Sequence, residues 1–111
     1  MFQTATGLAG GTSADFDQRV FAVADPIDAS TVGPLRQRLL AHLETHGPQI
    51  AIDLSGVDFI DSTGLGALVG VLREARDRGG DVRLLHPTRQ VRRILQITGL
   101  EAIFEIEAAV G

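Results

Sequence analysis

The sequence predicts an α/β domain, and three observations carry that expectation. Short apolar runs of strand length alternate with segments whose apolar residues recur every three to four positions. Turn-forming Gly, Pro, Asp and Ser residues separate them. At the centre, the stretch Phe59-Ile60-Asp61-Ser62-Thr63-Gly64-Leu65-Gly66 joins the apolar run Ile50 to Leu54 to a helical pattern of Leu65, Leu68, Leu72 and Ala75.

Taken in order, residues 1–15 hold Gly7, Gly10, Gly11, Thr12 and Ser13 and read as a flexible lead-in or a short first strand, with the domain proper over 16–111. Arg19 to Ala24 reads as a strand that Asp25-Pro26 ends, because proline cannot donate to a ladder. Asp28-Ala29-Ser30-Thr31 offers caps to a helix whose apolar face is Val32, Leu35, Leu39 and Leu43; Pro34 is tolerated in its first turn, and Gly47-Pro48 stops it. Ile50 to Leu54 is the central strand. The helix after Ser62 runs to Arg78 and ends at Gly79-Gly80, with Glu74 and Arg78 spaced as a supporting ion pair. Val82 to Leu85 is the next strand. Pro87-Thr88 opens a last helix that buries Val91, Ile94 and Leu95 and closes at Gly99, and Ile103 to Ile106 is a short edge strand or a frayed tail. In such a sheet the later strands are parallel, so the loops with Ser62 and His86 share the rim at the strands' carboxyl ends.

Composition narrows the function. A chain of 111 residues and 11.8 kDa is one domain, and its 44% hydrophobic and 22% charged residues fit a globular protein. Without cysteine there is no disulfide, thiolate zinc site or Cys nucleophile. A net charge of −4 argues against direct nucleic-acid binding as the main task. Met1-Phe2-Gln3-Thr4-Ala5-Thr6 has neither the basic start nor the apolar core of a signal peptide, and no apolar run approaches a membrane span, so a cytoplasmic location is expected.

The chemistry turns on Ser62 and Thr63. A helix start leaves free N–H groups that a hydroxyl can cap, and the same place suits an anion; the two residues are therefore either caps or hydroxyls held where a phosphate is tolerated. A serine hydrolase would use Ser62 with His86, and Asp28 or Asp53 as orienter. However, the nucleophile elbow needs Gly where Ile60 stands. Gly64, Gly66 and Gly70 miss the dinucleotide spacing by one residue, and these glycines are better explained by close approach of helix to sheet. His42 and His46 lie four apart, but Leu43 occupies the position where a zincin helix needs Glu. Complementarity to the helix dipole accounts for the pair, and no metal is expected. Arg89, Arg92 and Arg93, near Arg83 in sequence order, form a basic side of the last helix, read as a solvated face or a docking patch for an acidic partner.

The run Asp53-Leu54-Ser55-Gly56-Val57-Asp58-Phe59-Ile60-Asp61-Ser62-Thr63-Gly64-Leu65-Gly66 resembles the signature of the STAS domain, in particular that of stand-alone bacterial anti-sigma factor antagonists. The likeness extends to Ile27-Asp28-Ala29-Ser30-Thr31, Arg78-Gly79-Gly80, Leu84-Leu85-His86-Pro87, Val91-Arg92-Arg93-Ile94-Leu95 and Thr98-Gly99-Leu100. It implies a single domain with a small mixed sheet of about four to five strands flanked by about four helices. It also implies a switch rather than an enzyme, with no cofactor. The unphosphorylated antagonist binds an anti-sigma factor that is also a serine kinase, freeing a sigma factor. Phosphorylation of the serine after the Asp, here Ser62, turns binding off, and a serine phosphatase restores it. Thr63 matches the second hydroxyl, which is not the usual acceptor. The implied partner-binding rim is Asp28, Asp61, Ser62, Thr63, Gly64 and Leu65. Asp25-Pro26 departs from the Gly usual in the family, and His86 stands where Asn is common. The alternatives are a STAS subunit of a lipid-transport ATPase complex and a small nucleotide-binding or hydrolytic enzyme.

Overall fold

The computed structural model describes residues 20–107. The lead-in or first strand expected over 1–15 lies outside the described residues, as does Arg19. Strands β1 (Val20–Ala22), β2 (Gln49–Asp53), β3 (Asp81–Leu85) and β4 (Glu105–Glu107) pair in that order, each pairing parallel. Parallel neighbours need crossovers, and helices α1 (Val32–His46), α2 (Ser62–Asp77) and α3 (Arg89–Thr98) supply them. This is the expected single α/β domain. Its strand number agrees, and three helices with a short 3-10 turn at Leu100–Ala102 stand near the expected four. The antiparallel pairing of a mixed sheet is not among the described residues.

Strand order and sequence order coincide, so right-handed crossovers put all three helices on one face of the sheet. Side-chain alternation agrees. Ile50, Ile52, Val82 and Leu84 enter the core, where they meet Leu35, Leu39 and Leu43 of α1, Leu68, Val71 and Leu72 of α2, and Val91 and Leu95 of α3. Each such side chain contributes about 1.5–3 kcal/mol on burial. On the opposite face Arg83 reaches across to Glu105 (3.4 Å) and Glu107 (3.8 Å). Arg83 therefore does not join the arginines of α3; strand alternation turns it away from the helices.

Local chemistry sets the helix ends. The Asp28 turn precedes α1, and Pro34 sits in the first turn, where its missing N–H costs nothing. Gly47 N–H returns to Leu43 O at 2.9 Å, and Pro48 prevents continuation. α2 ends where Arg78 pairs with Glu74 at 2.9 Å, the expected i,i+4 contact. α3 closes on Gly99, whose φ of 77° is the left-handed conformation that suits glycine.

His42 and His46 do face one way, and they stack at 4.3 Å between ring centroids. Phe21 meets His42 edge-on at 5.6 Å, and Nδ1 of His42 is buried without a hydrogen-bond partner. No group of three metal-ligating side chains occurs among the described residues. Burial, and secondarily the neighbouring His46, push the His42 imidazole below its usual range. The unfolded chain thus takes up a proton that the folded chain resists. Stability from this group is full above the ordinary histidine value and is lost as pH falls below it. Urea melts at descending pH should show this loss in the wild type, reduced in His42→Gln.

Candidate functional site

The rim forms where β1, β2 and β3 all end. After β2, Leu54 N–H donates to Leu85 O (2.9 Å), Val57 N–H to Leu54 O (3.0 Å) and Ser55 N–H to Asp53 Oδ1 (2.9 Å). Leu54, Val57 and Ile60 point inward and are essentially inaccessible; Ser55, Asp58 and Phe59 point out. Three apolar anchors thereby fix the path of a loop whose intervening residues remain at the surface. An isolated parallel bridge between Ile27 and Ile60 then ties the segment after β1 to the start of α2. Ile27 N–H donates to Phe59 O at 2.9 Å and Asp61 N–H to Ile27 O at 3.2 Å. This bridge sets the residue before the Asp28 turn beside the residues that open α2.

Asp61, not Ser62 or Thr63, caps α2. Its backbone is extended, and its carboxylate accepts from Gly64 N–H at 2.9 Å. The cap alternative for the two hydroxyls is thereby corrected: both lie inside the helix, past the position where a side chain can reach back to the third N–H. Ser62 and Thr63 are exposed, and their hydroxyls make no hydrogen bond among the described residues. Among the described residues no base hydrogen-bonds the Ser62 hydroxyl, so nothing there activates it as a nucleophile. The cap assignment predicts two unequal effects in urea melts. Asp61→Ala should cost about 1 kcal/mol, and Ser62→Ala should stay within about 0.5 kcal/mol.

Gly64 and Leu65 lie under the rim rather than on it. Gly64 is buried and Leu65 is 7% exposed, packed into the core. A Cβ on Gly64 would stand 2.5 Å from Ile27 O and 2.7 Å from Ile27 Cγ2. This is the close approach expected of the glycines, and it holds for Gly64 alone of the three: Gly66 and Gly70 have open space around them. Of the six rim residues, these two therefore lie beneath the exposed Ser62 and Thr63 and support the surface that carries them.

Asp28 organises its own turn. Oδ1 accepts from the Ser30 hydroxyl (2.7 Å), Ser30 N–H (2.9 Å) and Thr31 N–H (3.2 Å). The Ser30 hydroxyl first, then the backbone N–H groups, hold its carboxyl below the usual carboxylate range. Thr31 Oγ1 accepts from Asp28 N–H at 3.0 Å and donates to Pro26 O at 2.6 Å. Asp25 and Pro26 line a cleft of about 410 Å³ with Ser30, Thr31, Pro34 and Arg38. His86 follows β3 with a φ of 51°, and its N–H donates to Glu107 O at 2.7 Å. The left-handed backbone gives a physical reason for Asn at such a place. Sequence reasoning passed over Phe59, whose side chain is 51% exposed directly before the Ile60 bridge. Its signal was alternation: with Ile60 inward, the neighbouring aromatic must turn outward.

A one-sided parallel α/β domain whose strand ends converge on a rim, with a serine in the first turn of a helix whose hydroxyl has no partner among the described residues, is the class that fold and site define. The chain belongs to the STAS domain family, whose model matches residues 12–111. It is 35% identical over 97 residues to the anti-sigma-B factor antagonist of Listeria monocytogenes, covering 87% of this chain and 85% of that protein. It is likewise 35% identical over 86 residues to the anti-sigma-B factor antagonist of Bacillus subtilis, covering 78% of each. Among solved structures, the unphosphorylated form of the anti-sigma factor antagonist SpoIIAA superposes with a TM-score of 0.70 at 25% identity, over 82% of this chain and 78% of that one. No helix among the described residues is long and apolar enough to cross a membrane.

Proposed function

We propose that this protein is an anti-sigma factor antagonist, a binding protein rather than an enzyme. Its unphosphorylated form docks an anti-sigma factor with serine-kinase activity and so releases a sigma factor. Phosphorylation of Ser62 ends the interaction, and a serine phosphatase resets it. The single observation that carries this reading is the Ser62 hydroxyl: exposed, free of hydrogen bonds among the described residues, and not needed as a cap because Asp61 fills that role. The names of the relatives support the partner class, and the SpoIIAA structure, described as unphosphorylated, supports a phosphorylation-dependent state in a relative.

The physics of the switch is local. A phosphate adds about −1.5 to −2 charges. At the first position of α2 the helix dipole and the free N–H groups of Ser62 and Thr63 favour it, so the domain stays folded. Asp28, Asp58 and Asp61 already make the rim acidic. The added charge is therefore felt by the docking partner rather than by the fold. Purified protein, ATP and the cognate kinase should give one phosphate, absent in Ser62→Ala and retained in Thr63→Ala. Phosphate on Thr63 alone, or none on either residue, would overturn the assignment.

A further inference from the structure

The outward face of α3 has no role in the switch described above. Arg89, Arg93 and Ile97 fall one turn apart along it; all three are exposed, Ile97 at 73%. Arg92 lies beside them, half-buried. None of these arginines forms an ion pair among the described residues, whereas Arg76, Arg78 and Arg83 all do. α3 holds three arginines and no acid, so the remainder of a chain of net −4 carries −7. The helix is a basic stripe with an apolar residue at its end, set on an acidic domain.

It is also joined to the rim. Thr88, the cap of α3, donates its hydroxyl to Val57 O at 2.7 Å, in the loop that continues through Asp58 and the exposed Phe59 to Ser62. The hydrogen bond fixes the start of the basic stripe against the loop that presents the serine.

We propose that the α3 face, joined to the rim through the Thr88–Val57 hydrogen bond, is a second docking surface for the same anti-sigma factor, fitted to an acidic patch that bears a small apolar pocket. This rests on the reading of Ser62 given above. An extended polyanion, whether nucleic acid or an anionic membrane, meets more of the repulsion from the remaining −7 than a compact acidic patch on a protein does. Surface arginines of this kind steer association, and Ile97 supplies an anchor that shields the contact from water. The rim thus decides whether docking is allowed, and α3 decides which acidic surface is captured and how fast.

The test measures binding kinetics of the purified kinase that phosphorylates Ser62 against five forms of the full chain at low and high salt. These are the wild type, Ser62→Asp, Arg93→Glu, Ile97→Ser and Arg73→Glu, the last an equal charge change at an exposed position on α2 that forms no ion pair among the described residues. Arg93→Glu should slow association and weaken binding on the order of tenfold at low salt, with the difference shrinking at high salt. Ile97→Ser should speed dissociation several-fold, and Arg73→Glu should bind like the wild type. Wild-type binding by Arg93→Glu and Ile97→Ser would overturn the inference, as would an equal loss in Arg73→Glu; if Ser62→Asp still blocked binding, the Ser62 reading would stand. Failure of the wild type to bind the kinase would remove both. Arg93-dependent binding to phosphatidylserine vesicles, with kinase binding unchanged, would overturn the inference in favour of a membrane.

Discussion

Ser62→Asp is expected to weaken binding to the anti-sigma factor kinase by roughly 30- to several-thousand-fold, the equivalent of about 2–5 kcal/mol for an uncompensated charge in an interface. The same variant should unfold in urea within about 0.5 kcal/mol of the wild type, as befits an exposed surface position. The two halves of the result belong together. Asp61 already satisfies the Gly64 N–H, so position 62 contributes nothing to the cap, and a carboxylate there sits at the favourable end of the helix dipole. A large loss of affinity with unchanged stability places the effect in the interface. A loss of both would mean that the substitution damages α2 instead.

Gly64→Ala should destabilise the domain by about 1–3 kcal/mol, the usual consequence of forcing a methyl into filled space. The added carbon would meet the Ile27 carbonyl at 2.5 Å and the Ile60 side chain at 2.8 Å, so the Ile27–Ile60 bridge must open or α2 must shift. Gly66→Ala is the matched control. It lies exposed two residues further along the same helix with nothing within 4 Å, and should gain about 0.5–1 kcal/mol from reduced backbone entropy. Urea melts of the pair should move in opposite directions. Because the bridge also ties the segment before the Asp28 turn to the start of α2, Gly64→Ala should lower the rate at which the proposed kinase modifies Ser62 even where the variant remains folded.

Much of this was legible in the sequence. The alternation of apolar runs and helical periodicity located all three helices and the strands β2 and β3 to within a residue or two, because each element carries its own buried stripe and its own stop signal. The rim followed from parallel strands alone. What the sequence left open has physical causes. Asp61, Ser62 and Thr63 have similar capping preferences, and only the backbone, which is extended at Asp61 and helical from Ser62, separates them. Leu65 reads as a rim residue by its place in the motif, yet the helical turn that exposes Ser62 drives Leu65 inward. Arg83 clusters with the α3 arginines along the chain, and only strand alternation and the pairing with β4 send it to the other face. Strand order, which puts the three helices on one side, is a long-range property that no local pattern encodes.

The central claim is that one phosphate on Ser62 forbids docking without unfolding the domain. The most direct measurement takes stoichiometrically phosphorylated and unmodified protein and determines, side by side, the affinity of each for the kinase and the urea midpoint of each. The account predicts affinities separated by roughly 30-fold or more and coincident midpoints. Equal affinities would contradict it, and so would a phosphorylated form that lost its affinity only because it had lost its fold.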